Sequence, residues 1–376
     1  MNENSLPEYV TIRLPFHADG NVASRLLSTA WLCKIIAYRV LRLIKENPLY
    51  TQLSETRFLQ NLREKCYDIL SNRRYVDGIL KLIYATIRSA QALGVNIQDI
   101  ELKHWLLFQS EGEPSAKGNN NIKIILPNKI EVLTFDYNGL SSKVVIDVVV
   151  PKGWRRLLEV LVMKAQRKEI GYPARVYISD YGIGKNGIHI SGEVQIGIPY
   201  KLYFEVMKRY DKPLSDLVAG IDVNFDRIDV AILSQSGIVK VVRTFWFPEA
   251  VHMGARKERT WSIIGMVIHN MLKWLYHCGV SIIFLEDYEV IGYLKWLWIK
   301  KGERKNSYWN WKVATFRSSV IERIVWKAPL YGIKTKSIDP KGTTHSQLHD
   351  EIMKKYGVDR HIASAIVIAM KGLKLT

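Results

Sequence analysis

The stretch LVAGIDVNFDRIDVAILSQSGIVKVVRTF, residues 217–245, decides how this chain folds. It holds three short apolar runs, LVAGIDVN, RIDVAIL and IVKVVRTF, with a turn at Gln235-Ser236-Gly237 before the third. Runs of this length, rich in Val and Ile and bounded by turn residues, read as strands, here a three-stranded meander. One carboxylate interrupts the first run: Asp222 lies between Ile221 and Val223. Burying a charge there is expensive unless it is paired or binds a metal, so Asp222 needs a partner.

Reading onward, the periodicity predicts a helix over about 257–278, a strand at VSIIFLED (280–287), and a loop rich in Trp and Lys. A helix over about 311–328, a strand at IKTKSI (333–338) and a closing helix from about Asp359 follow. The order β-β-β-α-β-α-β-α is that of the RNase H-like fold, so the C-terminal part reads as α/β. Other α/β folds produce similar strings, and order alone does not decide between them.

Reading backward, residues 122–198 carry short β-rich runs (IKIIL, IEVLTF, KVVIDVVV, RVYIS, IHISGEVQI), broken by one helix at 154–168. This part reads as a small barrel or sandwich. YVTIRLP at 9–15 alternates like a strand and completes it in this reading. Between them, apolar residues recur at helical spacing from Val22 to Glu46 and from Glu55 to Leu93, fading into a polar linker, EGEPSAKGNNN, at 111–121. The helical region is then an insertion into a β module, with expected boundaries 1–20, 21–115, 116–210 and 211–376. Gly182, Gly184 and Gly187 match GxGxxG, but they lie between two β-like runs, where a glycine-rich hairpin turn is the better reading than a dinucleotide loop.

The chain has 376 residues, 48% of them hydrophobic, enough to build real cores. Its formal charge of +18, from 54 Lys and Arg against 36 Asp and Glu, points to a polyanionic partner, nucleic acid first. No run of about 18 apolar residues exists, and MNENSLPEYV is no signal peptide, so a cytoplasmic protein without a membrane partner is expected. The three cysteines, Cys33, Cys66 and Cys278, are too scattered for a disulfide framework or a CxxC-type zinc site.

Two further carboxylates join Asp222 at the ends of predicted elements. Glu286 closes the apolar run SIIFLE, and Asp359 opens DRHIASAIVIAM, at spacings of 64 and 73 residues. Three such groups suit two divalent ions about 3.5–4 Å apart, Mg²⁺ or Mn²⁺, which take oxygen ligands and assist phosphodiester hydrolysis. Asp359 also reads as a simple helix N-cap and Glu286 is ambiguous with Asp287 beside it, whereas Asp222 is harder to dismiss; Asp226, Asp229 and Asp339 read as accessory ligands or turn residues. His345 and His349, four apart near Asp350, read as capping or polar surface residues, since no third strong ligand accompanies them.

The segment from Tyr293 to Lys336 contains eleven Lys or Arg and two acidic residues, interleaved with Trp296, Trp298, Trp309, Trp311 and Trp326. Cations neutralise phosphates while aromatic rings stack on unpaired bases, so Lys295, Lys300, Lys301, Arg304, Lys305 and Arg317 are candidate nucleic-acid contacts. Trp311 and Trp326 also fit the core side of a helix.

These blocks resemble the TnpB-like proteins of insertion sequences, relatives of the type V CRISPR effectors. GIDVNFDRIDVAILSQSGIVK (220–240), IIFLEDYEV (282–290) and DRHIASAIVIA (359–369) look like the three RuvC blocks. The segment 309–346 is similar to the family's helix, strand and Pro-Thr-Ser stretch. Over residues 1–205 only the layout is similar. The resemblance implies a wedge module with a helical recognition lobe, followed by a RuvC nuclease domain. It further implies RNA-guided, Mg²⁺-dependent cleavage of DNA, with Asp222, Glu286 and Asp359 as catalytic metal ligands. Guide RNA and double- and single-stranded target DNA are the implied partners. One departure stands out: Thr343–Val358 contains no cysteine, a helix (SQLHDEIMKKYG) replaces the family's four-cysteine zinc finger, and no zinc is expected. Two other readings remain at this point, a guided DNA-binding repressor or accessory factor without cleavage, and an unguided RNase H-fold transposase or resolvase.

Overall fold

A computed structural model describes residues 8–92, 96–102, 106–184, 187–211, 213–251, 257–287, 304–341, 343 and 346–374, with the backbone alone at 89, 92, 257, 258 and 304–315. The chain forms two compact units, residues 8–206 and residues from Met207 onward, each described by itself.

In the first unit, strand β1 (Tyr9–Asp19) buries every second side chain: Val10, Ile12, Leu14, Phe16 and Ala18. It is four residues longer than the sequence pattern suggests. The expected strand ends at Pro15, yet β1 lies at the edge of its sheet, where a missing N–H costs no ladder bond, and alternation continues through Phe16 and Ala18. The Pro15 carbonyl still accepts from Val149 N at 2.8 Å. Helices α1 (Gly20–Glu46), α2 (Glu55–Arg63) and α3 (Arg73–Ala92) follow, then β2 (Leu106–Ser110). Next come β3 (Ile122–Ile125), β4 (Lys129–Phe135), β5 (Ser141–Asp147), α4 (Arg155–Gln166), β6 (Ala174–Gly184), β7 (Gly187–Pro199) and α5 (Tyr200–Met207). The strands make a four-stranded antiparallel sheet ordered β1-β7-β6-β2 and a three-stranded sheet ordered β3-β4-β5. Gly184 pairs with Gly187 at the end of the β6–β7 hairpin.

The second unit is built on a five-stranded sheet. Strands β8 (Leu217–Val223), β9 (Arg227–Leu233) and β10 (Val239–Trp246) form the antiparallel meander. Helix α6 (Lys257–His277) leads to β11 (Val280–Glu286), and α7 (Arg304–Lys327) to β12 (Lys334–Ile338). Helices α8 (Gln347–Tyr356) and α9 (Arg360–Gly372) close the chain. The sheet order is β10-β9-β8-β11-β12, with β11 parallel to both β8 and β12. Strands covered on both faces have no polar side to show, which is why β8, β9 and β11 read as near-continuous apolar runs.

Helix α9 packs on this sheet through Ala363, Ile366, Val367 and Ala369, which share a core with Val218, Ala231 and Phe284. It approaches β8 closely at Gly220, where a methyl group would overlap the Ala365 carbonyl and come 2.6 Å from Ala369 N. The absent side chain lets the helix backbone rest on β8. That contact also sets where the first turn of α9 lies. Among the described residues, no helix is long and apolar enough to cross a membrane.

Candidate active site

Asp222 is the sixth residue of β8 and Glu286 the last of β11, neighbouring parallel strands, so both carboxylates emerge at the C-terminal end of these strands. Both residues are buried. The two are joined by Arg317 of α7, whose Nη2 stands 3.4 Å from Asp222 Oδ1 and 3.3 Å from Glu286 Oε2. The other Glu286 oxygen accepts from the buried Thr343 hydroxyl at 2.6 Å. Burial pushes the Glu286 carboxyl above its ordinary range; Arg317 opposes that shift and Asp222 adds to it.

The other side of Asp222 faces β9. The register sets Asp222 opposite Asp229, which is fully buried. Two carboxylates in adjacent strands repel unless something lies between them, and here Asn224 does: its Nδ2 donates to Asp222 Oδ2 at 2.9 Å and to Asp229 Oδ2 at 3.1 Å. Thr244 Oγ1 donates to Asp229 Oδ1 at 2.5 Å, and Arg227 Nε stands 3.3 Å from Asp229 Oδ2. Burial raises the Asp229 carboxyl, Thr244 and Arg227 pull it down, and Asp222 and Asp359 raise it further.

Asp359 caps α9. Its Oδ1 accepts from His361 N at 3.0 Å and Ile362 N at 2.9 Å, while Oδ2 lies 4.0 Å from Arg227 Nη2. The N-cap reading is therefore what its geometry shows, with one oxygen left toward the cluster. His361 Nδ1 stands 3.3 Å from Asp222 Oδ2, and that hydrogen bond raises the imidazole above its ordinary range.

The structure thus brings Asp222 and Glu286 together through Arg317, and links Asp359 to the same cluster through Arg227 and Asp229. A tighter set also exists: Asp222, Asp229 and His361 offer one ligand atom each, all within 4.8 Å of one another. It shares only Asp222 with the triad expected from the sequence. Oxygen-rich, with Asp222, Asp229 and Glu286 buried and Asp359 exposed, and more acidic than its cations can balance, the donor set fits a hard divalent ion. When all are ionised, Asp222, Asp229, Glu286 and Asp359 face two guanidinium groups, Arg227 and Arg317, in these contacts.

Of the candidate nucleic-acid contacts, Lys295, Lys300 and Lys301 lie outside the described residues, as does His345. Arg304 and Lys305 begin α7. Arg317 turns inward to the carboxylates. His349 is neither surface nor simple cap: it is buried, with Nε2 2.9 Å from the Arg360 carbonyl oxygen and 3.3 Å from Ser364 Oγ, tying α8 to α9. Asn224, Arg227, Thr244, Thr343 and His361 were not singled out from sequence. Asn224 and His361 had one available signal, a polar residue two positions after a candidate acid.

A five-stranded sheet of this order, three strands antiparallel and two parallel, with acids at the ends of its first and fourth strands, defines an RNase H-like α/β fold. The chain belongs to the SSO2105 family. The family's N-terminal domain profile matches residues 9–208. A protein of Aeropyrum pernix is 41% identical over 97% of this chain and 97% of its own length. The SSO2105 protein of Saccharolobus solfataricus is 30% identical over 85% of this chain and 83% of its own. In fold, the chain is similar to the protein in the Cas12f1-sgRNA-target DNA complex, with TM-score 0.54, 11% identity, and coverage of 93% of this chain and 83% of that one.

Proposed function

We propose that this chain is an RNA-guided, divalent-metal-dependent DNA endonuclease of the TnpB type, associated with a transposable element. The observation that carries the reading is the pair of buried acids, Asp222 and Glu286, at the C-terminal ends of two adjacent parallel strands of an RNase H-like sheet, with Asp359 at the N-cap of the helix packed on it. Asp222 Oδ1 and Glu286 Oε2 face each other across one cation, as ligands for Mg²⁺ or Mn²⁺ need to. Asp359 supplies the third carboxylate. When bound, two such ions supply activation of the attacking water and neutralisation of charge on the leaving oxygen.

The chain's own groups orient these ligands. Thr343 fixes one Glu286 oxygen and leaves the other directed at the cluster. Asn224, anchored on Asp229, holds Asp222 Oδ2, and Arg227 holds Asp229 beside Asp359. Such supporting contacts keep ligands within the narrow geometry that in-line displacement demands.

In the same reading, the four-stranded sheet of the first unit is the wedge module, with α1–α3 between β1 and β2 as its helical recognition lobe. Specificity for the target belongs to guide pairing, and the charge of +18 serves the heteroduplex backbone. Lys295, Lys300, Lys301, Arg304 and Lys305 are the proposed contacts to nucleic acid.

The test begins with purification from cells carrying the native locus and sequencing of the RNA that accompanies the protein. A single species with a constant scaffold and a segment matching flanking DNA is expected; it then directs Mg²⁺-dependent cleavage of matching DNA, lost in Asp222→Ala with binding retained. Heterogeneous RNA or none, or cleavage unaffected by Asp222→Ala, refutes the reading.

A further inference from the structure

Among the described residues, the hydrogen bonds and ion pairs of Arg317 are to the two acids. Its contacts to Asp222 Oδ1 and Glu286 Oε2, 3.4 and 3.3 Å, are long for charge-assisted hydrogen bonds, which close to about 2.7–2.9 Å when the partners fit. Both run through one nitrogen, Nη2, so the pairing is not the two-pronged fork that guanidinium and carboxylate prefer. Nε is buried and, among the described residues, finds no hydrogen-bond partner. The side chain is nonetheless 28% exposed, against 7% and 10% for the two acids, so it is the most open of the three to solvent.

The backbone beneath it is anchored. The neighbouring Phe316 ring stacks on Trp261, with centroids 5.7 Å apart, and packs at a tilt against Phe225 and Phe247, with centroids 5.6 and 6.2 Å apart. Movement of the guanidinium therefore needs only side-chain rotation, with α7 left in place.

We infer that Arg317 is an internal competitor for the ion site: its guanidinium and a divalent ion claim the same two oxygens, and uptake of the ion requires Arg317 to swing outward. This rests on the reading of Asp222 and Glu286 as ion ligands. One guanidinium supplies a single, diffuse positive charge at long range, whereas a divalent ion supplies twice that charge at about 2.0–2.6 Å. Arg317 thereby keeps two buried acids compatible before an ion arrives and sets a threshold of ion concentration for occupancy. Displaced, it carries its charge toward the face where a phosphate backbone would lie.

The experiment measures Mn²⁺ affinity of the full chain by electron paramagnetic resonance of the free ion, for the wild type, Arg317→Gln and Asp222→Asn. Arg317→Gln is expected to bind Mn²⁺ about tenfold tighter and Asp222→Asn at least about tenfold more weakly. Unchanged or weaker binding in Arg317→Gln, with Asp222→Asn impaired, overturns the competition and leaves the ion site standing. Wild-type affinity in Asp222→Asn overturns the ion site and the competition with it. A second readout needs no variant at position 317: labelling of Arg317 by phenylglyoxal, followed by mass spectrometry, is expected to rise several-fold when the wild type is saturated with Mn²⁺. Unchanged or reduced labelling refutes the displacement.

Discussion

Replacing Gly220 by Ala tests whether the site is assembled by packing of α9 on β8. The added methyl would overlap the Ala365 carbonyl oxygen, and Ala369 N and Cβ would lie 2.6 and 3.0 Å away. Two of these three atoms are helix backbone, which cannot rotate aside as a side chain can, so α9 must lift from the sheet. Overpacking of a core costs about 1–3 kcal/mol, and the rigidity of the obstacle puts this case at the upper end, about 3 kcal/mol. In a unit of this size that corresponds to a fall in melting temperature of roughly 6–12 °C. The matched control lies in the same unit: at Gly265, in the interior of α6, a methyl would meet only Lys327 Nζ at an ordinary 3.7 Å. Gly265→Ala should therefore stabilise by about 0.5–1 kcal/mol, through helix propensity. Urea denaturation of both variants, followed by circular dichroism, measures the contrast. Because Asp359 and His361 stand at the start of α9, Gly220→Ala should also weaken Mn²⁺ binding. A Gly220→Ala protein within about 0.5 kcal/mol of the wild type would refute the close packing and, with it, the account of how α9 is placed.

Thr343→Val keeps the shape of the side chain but removes the donor to Glu286 Oε1, and should cost about 1.5–3 kcal/mol in urea denaturation while raising the Mn²⁺ concentration needed for half-saturation; a change below about 0.5 kcal/mol would rule the contact unimportant. His269, facing the Tyr331 hydroxyl at 2.7 Å, is pushed down by burial to about 4. Its folded value lies below its unfolded value of about 6.5, so its contribution is intact above about pH 6.5 and is lost as pH falls toward about 4. His269→Gln should flatten the stability profile across that window, and an unaltered profile would show that His269 is not the responsible group. Neutralising Lys300, Lys301, Arg304 and Lys305 together should reduce the slope of log affinity against log salt by up to about 3–4, if each meets a phosphate; an unchanged slope would remove them from the interface.

Local periodicity exposed much of the second unit. The meander, the strand ending at Glu286 and the apolar helix after Asp359 each announce themselves over a few residues, because burial on both faces or on one stripe constrains every position in the run. Asp222 stood out for the same reason, a charge where the run demands apolar atoms. The expected strand at 9–15 fell short of β1, since whether a strand can run past a proline depends on whether it is an edge, a fact outside its own sequence.

The supporting shell of the site was not legible. Asp229 faces Asp222 only because β8 and β9 pair in one register, and a slip of one residue would turn one of them to the opposite face. Arg317 meets Asp222 across 95 residues and Thr343 meets Glu286 across 57, contacts that exist only once β8 and β11 lie side by side. His349 looked like surface until α8 folded onto α9 and buried it. Sequence by itself determined which segments become strands and helices and which acids are costly to bury, since those follow from side-chain chemistry at fixed short spacings. Tertiary structure alone decided which cations and hydroxyls answer those acids, since strand order and register are set by long-range packing that no local pattern encodes.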